Sequence, residues 1–190
     1  MATLARMGLF SKLFKGDAAE RPTIRFHEAF GGAIRVLEAP TAPEWLATED
    51  EQEGDGFVKI VLKYMYPDEP MPTVLYAKMY VLHEDLGAPT DPLLTDWSAE
   101  FDTLFAHAPN VAVHATRQML MRGDLPATEA VLDGESRAHA LPMRIRERRS
   151  TFGQRQFIVT AIGPTRAFTA HEQAINAWFE TSAFDVGEGA

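Results

Sequence analysis

The 190-residue sequence contains no cysteine. That absence excludes disulfide frameworks, cysteine nucleophiles, iron–sulfur clusters and cysteine-ligated zinc, and thiols say nothing about the compartment. Long hydrophobic runs are also missing. The apolar stretch from Phe57 to Met65 is broken by Lys59 and Lys63, well short of the roughly 20 residues a membrane span requires. Near the N-terminus Lys12 and Lys15 interrupt the apolar positions that follow Arg6, so there is no continuous apolar core of about 7 to 15 residues for a secretory signal. The expected location is cytoplasmic.

Motifs that carry chemistry are equally scarce. There are five serines, and Gly134-Glu135-Ser136-Arg137-Ala138 lacks the second glycine of a nucleophile elbow. No glycine-rich phosphate loop occurs, and Gly54-Asp55-Gly56 lies in an acidic stretch that would repel phosphate. The six histidines, His27, His83, His107, His114, His139 and His171, form no helical metal pair. No catalytic residue, metal or cofactor is expected from this inventory.

What the chain does have is enough apolar content for a single globular domain: 46% hydrophobic and 24% charged residues. A chain of this length buries about 70% of its unfolded surface, sufficient to fold without a staple. Its net charge of −9 argues against nucleic acid as a partner, since a phosphate backbone rewards a positive face. The charge is unevenly spread. From Glu38 to Gly56 there are seven acids and no Lys or Arg, whereas Arg137 to Arg166 holds seven arginines and one acid, Glu147.

Leu4, Met7, Phe10, Leu13 and Phe14 recur at helical spacing within a basic segment. Residues 1–22 therefore read as a short amphipathic helix and linker, 23–186 as one domain and 187–190 as a tail. Ala33 to Glu38 reads as a strand, followed by a long acidic connection. Phe57 to Tyr66 and Thr73 to Leu82 read as adjacent strands. Asp91 as cap with Pro92 at the first position predicts a helix whose stripe, Leu93, Leu94, Trp97, Phe101, Leu104 and Phe105, runs on to Pro109. Val111 to Met121, Ala127 to Leu132, Ala140 to Glu147 and Gln156 to Ile162 predict an antiparallel meander, with Asp133-Gly134 at one of its turns. Thr169 with Glu172 reads as a capping box opening a helix on Ala174, Ile175, Trp178 and Phe179. The two helices should pack on the sheet and bury Trp97, Phe101, Trp178 and Phe179.

In a strand, Arg144, Arg146 and Arg148 share one face while Met143 and Ile145 take the other, giving a row of guanidinium groups about 6 to 7 Å apart. The row is a candidate docking surface for acidic groups, the alternative being a solvated strand face. Reversing its charges is expected to weaken an acidic partner and leave folding nearly intact.

From Leu125 to Phe184 the order of elements, with Pro126-Ala127-Thr128-Glu129-Ala130-Val131-Leu132-Asp133-Gly134, the arginine strand, Gln156-Phe157-Ile158-Val159-Thr160-Ala161 and the helix ending Trp178-Phe179-Glu180-Thr181-Ser182-Ala183-Phe184, resembles the PsbP-like or Mog-like family, which includes DcrB-type bacterial proteins. The Pro43-Glu44-Trp45 element is similar to the tryptophan after that family's first strand pair. The resemblance implies an α+β fold, an antiparallel sheet with helices packed on it as an α/β/α sandwich. It also implies largely non-catalytic roles: assembly factors, GTPase-binding regulators, photosystem subunits and chaperones of secretion effectors with hydrophobic segments.

The first functional expectation is a non-enzymatic adaptor or chaperone that binds a protein partner through an acidic or hydrophobic segment, using Arg144, Arg146 and Arg148 or the Leu4, Met7, Phe10, Leu13 and Phe14 stripe. The alternatives are a small-molecule hydrolase built from scattered histidines and carboxylates, and a peripheral membrane protein anchored by residues 1–15. A homodimer through the N-terminal stripe stands beside membrane docking.

Overall fold

The computed structural model describes residues 34–36, 46–54, 57–67, 69–82 and 91–186. The N-terminal stripe of Leu4, Met7, Phe10, Leu13 and Phe14, its linker and the 187–190 tail lie outside the described residues, as do His27 and His83.

Among the described residues nine strands form one curled sheet: β1 (Ile34–Val36), β2 (Leu46–Gly54), β3 (Phe57–Tyr66), β4 (Thr73–Leu82), β5 (Asn110–Leu120), β6 (Gly123–Glu135), β7 (Pro142–Phe152), β8 (Arg155–Pro164) and β9 (Ser182–Phe184), in the spatial order β1-β9-β5-β6-β7-β8-β4-β3-β2. Seven of the eight pairings between neighbouring strands are antiparallel, and the eighth sets β9 parallel to β5 at Met119 and Leu120. The expected α/β/α sandwich around an antiparallel sheet is therefore wrong: the protein is mostly β and its sheet is mixed.

The β5–β8 meander follows the sequence reading, with longer strands. Asp133-Gly134 does not turn. β6 continues through Glu135, and the reversal falls at Arg137 to Ala140, where Ala140 N–H bonds the Ser136 carbonyl. Gly134 stays in the strand because Phe105 lies on it; an added Cβ would come within 2.6 Å of the ring. The β7–β8 turn is two residues long, and Gly153 supplies its left-handed φ of +55°. β3 and β4 fall on the residues expected for them. The acidic stretch is not simply a connection, since Leu46–Gly54 pairs residue for residue with β3.

Alternation along the strands separates two faces. On one, Leu75, Ala77, Met79, Phe157, Val159 and Ala161 pack against helices α2 (Thr165–Ala170) and α3 (Glu172–Thr181) through Phe168, Ile175, Trp178 and Phe179. We call this the helix face. Thr169 is not the cap expected of it: α2 starts at Thr165 after Pro164, and His171 precedes α3 without a side-chain cap bond. α3 ends where the Thr181 and Ser182 hydroxyls donate to the carbonyls of Ala177 and Trp178, each at 2.6 Å, satisfying acceptors the last turn leaves over.

The other, open face has a smaller core of Ala130, Leu132, Met143 and Ile145 under Trp97 and Phe105. The helix expected from Pro92 to Pro109 is not formed. Asp91 caps a one-turn 3-10 helix, Pro92–Leu94, and Asp96 caps a separate turn, α1 (Trp97–Glu100), by accepting from Ala99 N–H at 3.1 Å. Two short-range caps five residues apart set two starts, and the chain then runs irregularly. Trp97 and Phe105 are buried and Phe101 half-buried, but Leu93, Leu94 and Leu104 face solvent.

Candidate functional site

Arg144, Arg146 and Arg148 do share one side of β7, as alternation requires. That side is the helix face, and exposure falls along the row: Arg144 is more than a third exposed, Arg146 is half-buried and Arg148 is buried. Glu129 and Asp133 on β6 lie opposite Arg148 and Arg144 in register. Arg144 grips Asp133 bidentately, Nε to Oδ1 at 2.8 Å and Nη2 to Oδ2 at 2.9 Å, with both side chains more than a third exposed. Arg146 Nε and Arg148 Nε donate to the two oxygens of Glu129, each at 2.8 Å. The same guanidinium groups reach upward into α3: Arg146 Nη1 donates to Asn176 Oδ1 and Arg148 Nη1 to the Phe179 carbonyl, both at 2.8 Å. Phe179 covers them, its ring centroid 4.1 Å from Arg146 Cζ, close enough for a cation–π contact.

Glu129 is thus the hub of a buried layer that fastens α3 to the sheet. Burial pushes its carboxyl up, but bonding and charge from Arg146 and Arg148 outweigh that, so it titrates below the ordinary range. His114, from β5, comes within 3.3 Å of the same carboxylate. The sequence did hold the signal for this layer. Glu129 and Asp133 are spaced as Arg144 and Arg148 are, so an antiparallel pairing that opposes one couple opposes the other. Single truncations should be graded by burial. Arg144→Ala is expected to cost about 0.2–1 kcal/mol, as for exposed pairs, and Arg148→Ala about 3–5 kcal/mol, as for a buried charge left unpaired. Equal losses in denaturant unfolding would contradict this layering.

On the open face of β7 the core positions Met143 and Ile145 give way to Glu147 and Arg149, both buried. Glu147 accepts from Arg149 Nε and from the Thr160 hydroxyl, each at 2.6 Å. Arg149 also bonds Glu100 at 3.0 Å and lies 4.6 Å from the Trp97 ring centroid, tying α1 to the sheet. Beside them is a cleft of about 410 Å³ whose lining includes Lys78, Tyr80, Glu100, Phe101, Gln156 and Ile158. Tyr80 is raised above its ordinary value, first by burial and then by Glu147 and Glu100, with Arg149 opposing. Both Glu147 oxygens accept hydrogen bonds, so this carboxylate anchors Arg149 and Thr160 together.

At the far side of the sheet β5 has an open edge. β9 pairs with its last residues only, and among the described residues no strand pairs with Asn110 to Gln118 on that side. Val111 and Val113 are 38% and 51% exposed there. On the same side of the sheet, Leu93 and Leu94 project from the 3-10 turn, which rests on β6 and β7, with exposures of 74% and 78%. Sequence reasoning missed this margin because the leucines belonged to the apolar stripe of a continuous helix.

No group of three or more metal-ligating side chains occurs among the described residues, and no described helix is long and apolar enough to cross a membrane. Comparison of the chain with protein-family models, curated proteins and solved structures finds no match in any of the three.

Proposed function

We propose that this chain is a non-enzymatic protein-binding module, an adaptor or chaperone-like subunit, whose contact surface is the apolar margin of the open face. The supporting observation is the set Leu93, Leu94, Leu104, Val111 and Val113, five large apolar side chains between 38% and 78% exposed on one side of the sheet. Single exposed apolar residues are ordinary, whereas a group on one side marks an interaction surface. The arginine row has no part in this reading, since its hydrogen bonds go to Asp133, Glu129 and α3.

The test is site-specific photo-crosslinking in cells. A photoreactive residue at Leu94 or Val113 is expected to give defined protein adducts, and one at the exposed Glu180 on the helix side to give none. Substituting Leu93 and Leu94 by serine should remove the Val113 adduct while shifting stability within about 0.5 kcal/mol, as exposed substitutions do. Adducts of equal yield at all three positions, or none at Leu94 and Val113, would refute the proposal.

A further inference from the structure

Among the described residues no strand covers the β5 edge from Asn110 to Gln118, and this edge is set up to take another strand. Along a strand, each residue directs its N–H and C=O to the same side, and successive residues alternate. Three observations fix which residues point outward. Met121 N–H donates to Phe184 O in β9. The Met119 carbonyl, on that same side, accepts from Gln118 Nε2, which also donates to Ser182 O. Pro126, which has no N–H to give, sits opposite Arg117 in the β5–β6 register. The register with β6 is continuous from Asn110 to Leu120, so no bulge breaks the alternation. The odd-numbered residues therefore face away from β6, and the N–H and C=O groups of Val111, Val113, Ala115 and Arg117 line the open edge. All four residues are exposed.

Edges left open in soluble proteins usually carry proline, bulges or inward charge. This one has none of these between Asn110 and Gln118, and Arg117 is its single permanently charged residue.

Resting on the protein-binding reading above, we propose that partner recognition occurs by strand addition: an extended segment of another protein, about seven residues long, pairs with Val111 to Arg117. Its chemistry follows from the geometry. Residues opposite each other on neighbouring strands share a face, so those facing Val111, Val113 and Ala115 extend the open face's apolar margin and are apolar. The residue facing Arg117, whose side chain is 63% exposed and donates to the half-exposed Asp124 at 3.2 Å through Nη1 alone, is acidic. Those between lie beside Ala112, His114 and Thr116 and are polar. A second copy of this chain fits less well, because it brings a β5 with no acid and a like net charge of −9. The lane ends at β9, where Gln118 bridges the β5 and β9 backbones.

The probes are two capped heptapeptides, Asp-Thr-Val-Thr-Val-Thr-Val for antiparallel addition and its reverse for parallel addition, with amide hydrogen exchange on the full chain as readout. Saturating amounts of one of them are expected to slow exchange at Val111, Val113, Ala115 and Arg117 by about tenfold or more. Ala112, His114 and Thr116, already directed at β6, should change little. Val113→Pro removes an outward N–H without touching the β6 ladder and should abolish both the protection and the Leu94 adduct. Val113→Thr keeps the N–H and should preserve both. Should Val113→Pro fail to fold, the wild-type exchange pattern decides. No protection by either peptide, with Leu94 adducts intact, overturns strand addition and leaves the protein-binding reading standing; absence of the Leu94 and Val113 adducts when the chain is otherwise wild type removes that reading.

Discussion

Substituting Glu129 by glutamine is expected to cost about 3–5 kcal/mol, because it leaves the buried Arg148 and the half-buried Arg146 without their counter-charge. For a chain of this length each kcal/mol lowers Tm by roughly 2–4 °C, so the melt should fall by about 10 °C. The pH dependence identifies the mechanism. The Glu129 carboxyl titrates in the folded protein below the ordinary glutamate range, held there by Arg146 and Arg148 against the opposing effect of burial. Its contribution is therefore complete above about pH 4.5 and is lost as pH falls through the lower folded value. Unfolding in denaturant between pH 7 and pH 2 should show this acid loss in the wild type and a flatter limb in E129Q. If the two limbs were parallel, the arginines would not depend on Glu129 as described.

The second large effect belongs to Trp178, 1% exposed in the main core and donating Nε1–H to the Tyr76 carbonyl of β4 at 3.2 Å. Trp178→Ala is expected to lose about 3–5 kcal/mol through the vacated volume. Trp178→Phe keeps most of that volume and gives up the hydrogen bond, so about 0.5–1.5 kcal/mol should be lost from the bond itself. Equal losses for the two variants would place the effect in the hydrogen bond rather than in packing.

Where the sequence was legible, it was through strong local periodicity. β3, β4 and the Ile175, Trp178, Phe179 stripe carry period-2 or period-3.6 patterns long enough to decide their structure. β2 hid because its acids, Glu49 to Glu51 and Glu53, read as a solvated loop; its strand state comes from pairing with β3, which no local pattern reports. The failed helix after Pro92 shows the converse. Trp97 and Phe105 have helical spacing and are buried, yet the second cap at Asp96 restarts the chain and the aromatics reach the core from irregular backbone. The arginine row was placed on the right strand face and given the wrong neighbours. A strand pattern states which side chains travel together, while the order of layers determines what lies over them. The open edge of β5 was illegible for a related reason: β9 follows a helix more than sixty residues downstream and takes up just two β5 positions.

The junction of β1, β9 and β5 bears on how the chain acquires its structure. The meander can form from local hairpins as it leaves the ribosome, but Ser182 to Phe184 must emerge before β1 has a partner, since Ile34 pairs with Phe184 across nearly the whole sequence. Contacts that close so large a loop form slowly. Until they do, β5 is exposed along its full length, including Met119 and Leu120. In a nascent chain the β5 edge is therefore longer than in the finished protein, and synthesis stalled before Ser182 would leave a species with a premature strand acceptor, prone to capture or aggregation before its own C-terminus arrives.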